Sequence, residues 1–149
     1  MMMATLDKSS QRSQLAARLR LVVTRLNRRL RAQADSGLSA SAMAALAAIG
    51  RRGPLALGEL AALEGVRPPT MTVTVAALEA EGLVRRESDP VDRRVARAAL
   101  TPKGRLRLQQ SRTRKNAYLA AQLEALEPDE LRVLERAAAI LERLLDGTR

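Results

Sequence analysis

The sequence predicts a mainly α fold carrying one small β-hairpin, and three observations predict it. First, helix breakers crowd the middle of the 149 residues: seven of the eight Gly and five of the six Pro lie between positions 37 and 104. Long helices should therefore flank a compact, turn-rich centre. Second, two short apolar-alternating runs, Leu83 to Glu87 and Val95 to Leu100, enclose a charged, proline-containing tip, DPVDRR at 89–94. That is the pattern of a two-stranded hairpin with an exposed basic tip. Third, a short helix, a tight turn and a second helix directly precede the hairpin. Together these read as a winged helix-turn-helix over 38–101, with the flanking segments 11–34 and 102–147 forming a separate helical region of a single domain, 1–149.

The elements follow in order. Over 11–34, Leu15, Leu19, Val22, Leu26 and Leu30 recur at spacings of three and four, with Arg18, Arg25, Arg28 and Arg29 largely off that stripe, which predicts an amphipathic helix. Asp35, Ser36 and Gly37 end it, Gly37 as a left-handed cap. Ser39 caps a second helix whose Met43, Leu46 and Ile49 face inward and which should stop at Gly50. Residues 54–57 form an extended piece able to pair with the hairpin. Residues 58–64 make a short helix and Glu64, Gly65 and Val66 a turn; Ala61 is small enough to admit the next helix, and Gly65 can take a positive φ. Pro68 opens a helix over 68–81 that buries Met71, Val75 and Leu78, turns Pro69, Thr70, Thr72 and Val73 outward, and ends at Gly82. Thr101 caps a helix from Pro102 to about 126. Glu127, Pro128, Asp129 and Glu130 start the last one, with acids where the helix dipole favours them. Leu131, Leu134, Ile140, Leu141, Leu144 and Leu145 give that helix an apolar side wide enough to require a partner. Leu15, Leu19 and Leu26, with Leu123, Leu126, Leu134, Ile140, Leu141 and Leu144, are read as a dimerisation surface.

Composition limits the chemistry. Tyr118 is the lone aromatic residue and there is no Cys or His. That removes base-stacking platforms, disulfides, thiol switches, thiolate or imidazole metal sites, and the usual nucleophiles and bases. No glycine-rich phosphate loop appears, so no cofactor, no metal and no enzymatic activity are expected. No signal peptide or membrane span is evident, and a cytoplasmic location is expected. The net charge is +10, and it is unevenly spread: +8 over 1–53, −3 over 54–84, +8 over 85–115 and −3 over 116–149. Two basic blocks, the second starting at the hairpin, suit a polyanion such as duplex DNA, because each neutralised phosphate releases counterions.

At this point the chain resembles the MarR family of bacterial winged-helix regulators. The resemblance lies in the element order and in the runs LEAEGLV (78–84), DPVDRR (89–94) and LTPKG (100–104), with LGELAALEGV (57–66) and LEPDELRVL (126–134) in support. PadR-type regulators share the wing but lack a leading helix like 11–34. The resemblance implies a homodimer with interleaved terminal helices, a recognition helix at 68–81 in the major groove, a wing reaching the minor groove, and often a small-molecule pocket. It places Thr70, Thr72 and Val73 nearest the base edges and Arg94 at the wing tip, with Asp92 orienting it. Position 73, often basic in that family, is Val here, and Arg67 is the cation nearest the helix start. Guanine reading by arginine is thus poorly provided for, and affinity should lean on phosphates and on Arg94 in a narrow A·T-rich groove. Arg51, Arg52, Arg85, Arg86, Arg93 and Arg97 are further DNA-contact candidates.

The function these features imply is a homodimeric, sequence-specific repressor that binds an inverted-repeat operator and is released by a small-molecule effector. A ligand-independent activator or architectural DNA binder is the alternative. A two-fold dimer would want half-sites about one helical turn apart, and an effector pocket would be aliphatic with an arginine rim.

Overall fold

The computed structural model describes residues 3–34 and 37–147. In chain order these form α1 (Met3–Ala34), α2 (Ala40–Arg52), β1 (Leu55–Ala56), α3 (Leu57–Leu63), α4 (Pro68–Ala80), β2 (Val84–Ser88), β3 (Ala96–Leu100), α5 (Pro102–Leu123) and α6 (Pro128–Asp146). The chain groups into two compact units, one through Lys115 and one from Asn116 onward. The first helix begins well before residue 11, and Asp35 and Ser36 lie outside the described residues.

In the first unit, Leu46 and Ile49 of α2, Leu60 of α3, Met71, Val75 and Leu78 of α4, and Leu83 meet in a core closed to solvent. No aromatic ring takes part; branched aliphatic side chains and Met fill the space, with alanines at 42, 45, 48 and 61 letting the helices approach. Ser39 caps α2 by accepting the Ala42 amide at 3.1 Å. The turn between α3 and α4 closes when the Val66 amide donates to the Ala61 carbonyl at 3.0 Å, with Gly65 at φ +63°.

The second helix does not stop at Gly50. It runs on to Arg52, and Gly53 forms its cap. At Gly50 the helix comes close to α5: a Cβ at that position would sit 2.6 Å from Leu108 Cδ2, so that side chain would have to shift. Arg51 and Arg52 therefore belong to the last helical turn rather than to a loop beyond it. The third helix likewise spans Leu57–Leu63 rather than 58–64, and α5 ends at Leu123 rather than near 126.

The sheet is antiparallel in the order β1-β3-β2. Leu55 pairs with Ala98, and β2 pairs with β3 from Val84–Leu100 to Ser88–Ala96. The extended piece expected at 54–57 thus does join the hairpin. At its base, residues 101–104 fasten the end of α4 to the start of α5. Thr101 Oγ1 donates to the Gly82 carbonyl at 2.7 Å, the Thr101 amide to Leu83 O at 3.1 Å, and Lys103 Nζ to Glu81 O at 2.7 Å. Thr101 Oγ1 also accepts the Gly104 amide at 3.0 Å, and a Cβ on Gly104 would fall 1.9 Å from Leu83 O. Only glycine fits there, which gives the LTPKG run its physical reason.

Arg114 donates to Ala34 O at 2.9 Å, meeting a carbonyl that the end of α1 leaves open. Otherwise α1 is exposed over nearly its whole described length, Leu15, Leu19 and Leu26 included. In the second unit, the Glu127 amide donates to Glu130 Oε2 at 3.0 Å and so starts α6. None of the α6 side chains is buried, and Leu134, Ile140, Leu141 and Leu144 are open to solvent, while Leu123 and Leu126 are half-buried.

Candidate nucleic-acid interface

The fourth helix shows two faces. Met71, Val75 and Leu78 are buried, so Pro69, Thr70, Thr72 and Val73 are turned to solvent. Val73 is 71% exposed, high for an apolar side chain on a helix anchored along its other side. Thr72 Oγ1 donates to Pro68 O and Thr74 Oγ1 to Thr70 O, each at 3.0 Å. These hydroxyl protons are committed to the helix's own carbonyls. What Thr72 offers outward is a methyl group and an acceptor oxygen, a narrower repertoire than free hydroxyl donors would give. Arg67, exposed in the residue before the helix, supplies the positive charge on this face.

The wing tip is held more firmly than the sequence suggests, and the residue responsible is Asp89. This carboxylate is 6% exposed. One oxygen accepts the Val91 amide at 2.7 Å and the Asp92 amide at 2.9 Å, and the other takes the Nε donor of Arg97. These donors hold the Asp89 carboxyl at about 2, below its ordinary 3.8; the Asp92 amide contributes most, then the Arg97 guanidinium, then the Val91 amide. The hairpin closes above it, with the Asp89 amide donating to Val95 O and the Val95 amide to Asp92 O, both at 2.9 Å.

Arg97 differs from the other wing arginines in being paired with a buried carboxylate. Besides Asp89, its guanidinium donates to Pro54 O at 3.2 Å and lies 3.7 Å from Glu59 Oε2. Glu59 in turn accepts the Ala56 amide at 3.0 Å. A chain of polar contacts thus joins the wing tip to β1 and the first turn of α3. Arg97 is occupied as a brace between wing and body, so the structure does not present it as an open DNA contact. Asp92 acts mainly on the backbone: its carboxylate accepts the Arg94 amide at 3.0 Å, while the Arg94 Nε stays 4.0 Å away. The Arg94 side chain is 96% exposed, and Arg93 is exposed beside it. Arg85 and Arg86 engage Glu87 and Glu79 at 3.0 and 3.2 Å, whereas Arg51 and Arg52 are exposed at the end of α2.

Asp89 and Arg97 were both visible in the sequence, but their joint role was not. An Asp-Pro step followed by amides two and three residues on is the pattern of a carboxylate closing its own turn. The hairpin register then brings Arg97 opposite Glu87, next to that turn.

Among the described residues no group of three or more acidic side chains gathers as a metal site, and no helix is long and apolar enough to cross a membrane. A hollow of about 170 Å³ is lined by Arg31, Ala34, Leu38, Ala40, Met43 and Lys115.

The architecture has known counterparts. Residues 38–96 match the model of the MarR family. An HTH-type transcriptional regulator of Mycobacterium leprae is 35% identical over 135 residues, covering 90% of this chain and 94% of that protein. Among solved structures, a transcriptional regulator protein of Pseudomonas aeruginosa is 35% identical, with a TM-score of 0.80 over 91% of this chain and 96% of its own. A MarR family protein of Bacillus stearothermophilus is 27% identical, with a TM-score of 0.78 over 90% and 94%.

Proposed function

The chain belongs to the MarR family of DNA-binding transcriptional regulators, and from that premise we propose that it is a homodimeric repressor reading an inverted-repeat operator and released by a small anionic effector. One observation carries the reading. The outer face of α4 and the tip of the wing are both open, while the inner side of each is fixed to the same body. Two open surfaces on one rigid mount suit adjacent grooves of a duplex. With Thr methyls and Val73 on the helix, readout leans on thymine methyls and shape, and Arg94 supplies the positive charge for a narrow minor groove.

Two further features support the dimer. The exposed apolar stripe of α1 is bordered along one edge by Arg18, Arg25 and Arg29, and that of α6 by Glu135, Glu142 and Asp146. Both edges repeat at spacings of seven and four, so each trio falls within about 40° on its helix. Arg25 and Arg29 repel one another one turn apart, as do Glu142 and Asp146. Opposite charges on a second copy would relieve both. The hollow beside Arg31 and Lys115 supports the effector. Lined by apolar side chains together with two cations, and only about 170 Å³ in size, it suits a small organic acid.

The test is fluorescence anisotropy of the protein against its own upstream intergenic DNA and a scrambled duplex, across salt concentrations. Specific binding at one dimer per site is expected, with Arg94→Ala weakening it about tenfold or more. Equal affinity for both duplexes with a steep salt slope would replace sequence reading by charge alone. Added small organic acids should then release the specific complex.

A further inference from the structure

We propose that Val91, which protrudes from the wing tip between Pro90 and Asp92, is a groove-width reader that packs its isopropyl group against the sugar walls of a narrow minor groove. The inference rests on the DNA-binding reading above and adds to it a residue that makes no charged contact.

Val91 is 95% exposed, the most exposed of the large apolar side chains in the described chain. Tips of hairpins ordinarily carry Gly, Asn or Asp, residues that ease the turn. A β-branched side chain there contributes nothing to the turn and nothing to the core. Its backbone, by contrast, is among the best-held parts of the wing. The Val91 amide is fixed at 2.7 Å to the buried Asp89 carboxylate, which is braced by Arg97 and through it by Pro54 and Glu59. The preceding Pro90 has a locked φ, and a β-branched side chain has few rotamers to lose. The result is a stiff apolar knob on a stiff mount, so little ordering entropy opposes its burial on binding.

The surroundings say what could bury it. Arg93 and Arg94 follow it at two and three residues' distance, past Asp92, and both are exposed. Cations beside an exposed apolar group fit a surface with phosphates at its rims and C–H groups between them. A minor groove has that cross-section, about 6 Å wide on average and narrower in A·T tracts. A narrow groove closes its deoxyribose walls on the isopropyl group, and a wider G·C groove leaves the group wet. Val91 would thus add sequence preference at positions where the protein makes no hydrogen bond to a base.

The experiment compares Val91→Ala, Val91→Thr and Arg94→Ala on the duplex selected by anisotropy, with the base pairs under the wing either A·T-rich or G·C-rich. Val91→Ala should weaken binding to the A·T-rich duplex about fivefold and leave the G·C-rich duplex unchanged. Its salt slope should match the wild type, because no phosphate contact is lost, whereas Arg94→Ala should lower the slope by about one. Val91→Thr, equal in shape but more polar, should fall between Ala and the wild type. Val91→Ala binding like the wild type while Arg94→Ala is impaired would overturn the role of Val91 and leave the DNA reading standing. Equal losses on both duplexes, or a changed salt slope, would also overturn it, since the wing would then have rearranged. Wild-type binding by both Val91→Ala and Arg94→Ala would remove the wing from the interface and sink the underlying reading with it.

Discussion

The body built from α2 to β3 and the helices α1 and α6 spend their apolar residues in opposite ways. In the body, Leu46, Ile49, Leu60, Met71, Val75, Leu78 and Leu83 have almost no surface left, and the most exposed apolar side chains are Val73 on α4 and Val91 on the wing. On α1 and α6, leucines of the same type line up just as regularly but stay open, and α6 buries none of its residues. Periodicity alone therefore does not say where a stripe is satisfied. In the body the covering surface is supplied within the chain itself, between Ala42 and Leu108. For the two end helices, a second copy of the chain is the proposed cover.

The sharpest way to break this contrast is Leu141→Asp. A carboxylate in the middle of the α6 stripe would have to be desolvated in any dimer, so association should weaken about 100-fold or more. Sedimentation equilibrium would read the loss, while core amide protection in α2 and α4 should stay at its wild-type level. Loss of protection in those helices would show that the body depends on the ends after all.

A smaller effect sharpens the contrast by charge. One variant carries Arg18→Glu, Arg25→Glu and Arg29→Glu, and another carries Glu135→Arg, Glu142→Arg and Asp146→Arg. Each alone should dimerise about tenfold more weakly than wild type, and an equal mixture should form a heterodimer that restores the affinity. No recovery on mixing would place these charges outside the contact between copies.

The third prediction concerns the body alone. Asp89 has a folded-state value lowered from 3.8 to about 2, so its ionised form favours the ordered wing. That contribution is complete above 3.8 and drains away as the pH falls towards 2. Hydrogen exchange at the Val91 and Asp92 amides should accelerate relative to the core over that window. In Asp89→Asn the tip should already be loose at neutral pH and show no such step. Unchanged exchange through the window would mean that the carboxylate does not hold the tip.

Much of this was legible in the sequence, because the signals were local. The wing strands, the buried face of α4, the Thr101 cap and the β1 pairing follow from alternation, helical spacing and turn residues. Gly50 was misleading for the same reason. A glycine near the end of a helical pattern reads as a stop, and the side chain it lies against, Leu108, is far along the chain and on another element. Arg97 shows the other limit. Arginines near a hairpin look alike in sequence, and only the fold reveals that this one is engaged by Asp89, Glu59 and Pro54 while Arg94 is left outside.

The fastening at residues 101–104 has a mechanical consequence. The carbonyls of Glu81, Gly82 and Leu83 are held by Lys103 and Thr101, and Gly104 leaves no slack against Leu83. The C-terminal end of α4 and the first turn of α5 are therefore geared together. A tilt of α5 would be passed on to α4 and to the base of the wing, which the same bonds hold. Under the proposed function, such a linkage would turn a small tilt into a misfit against the duplex.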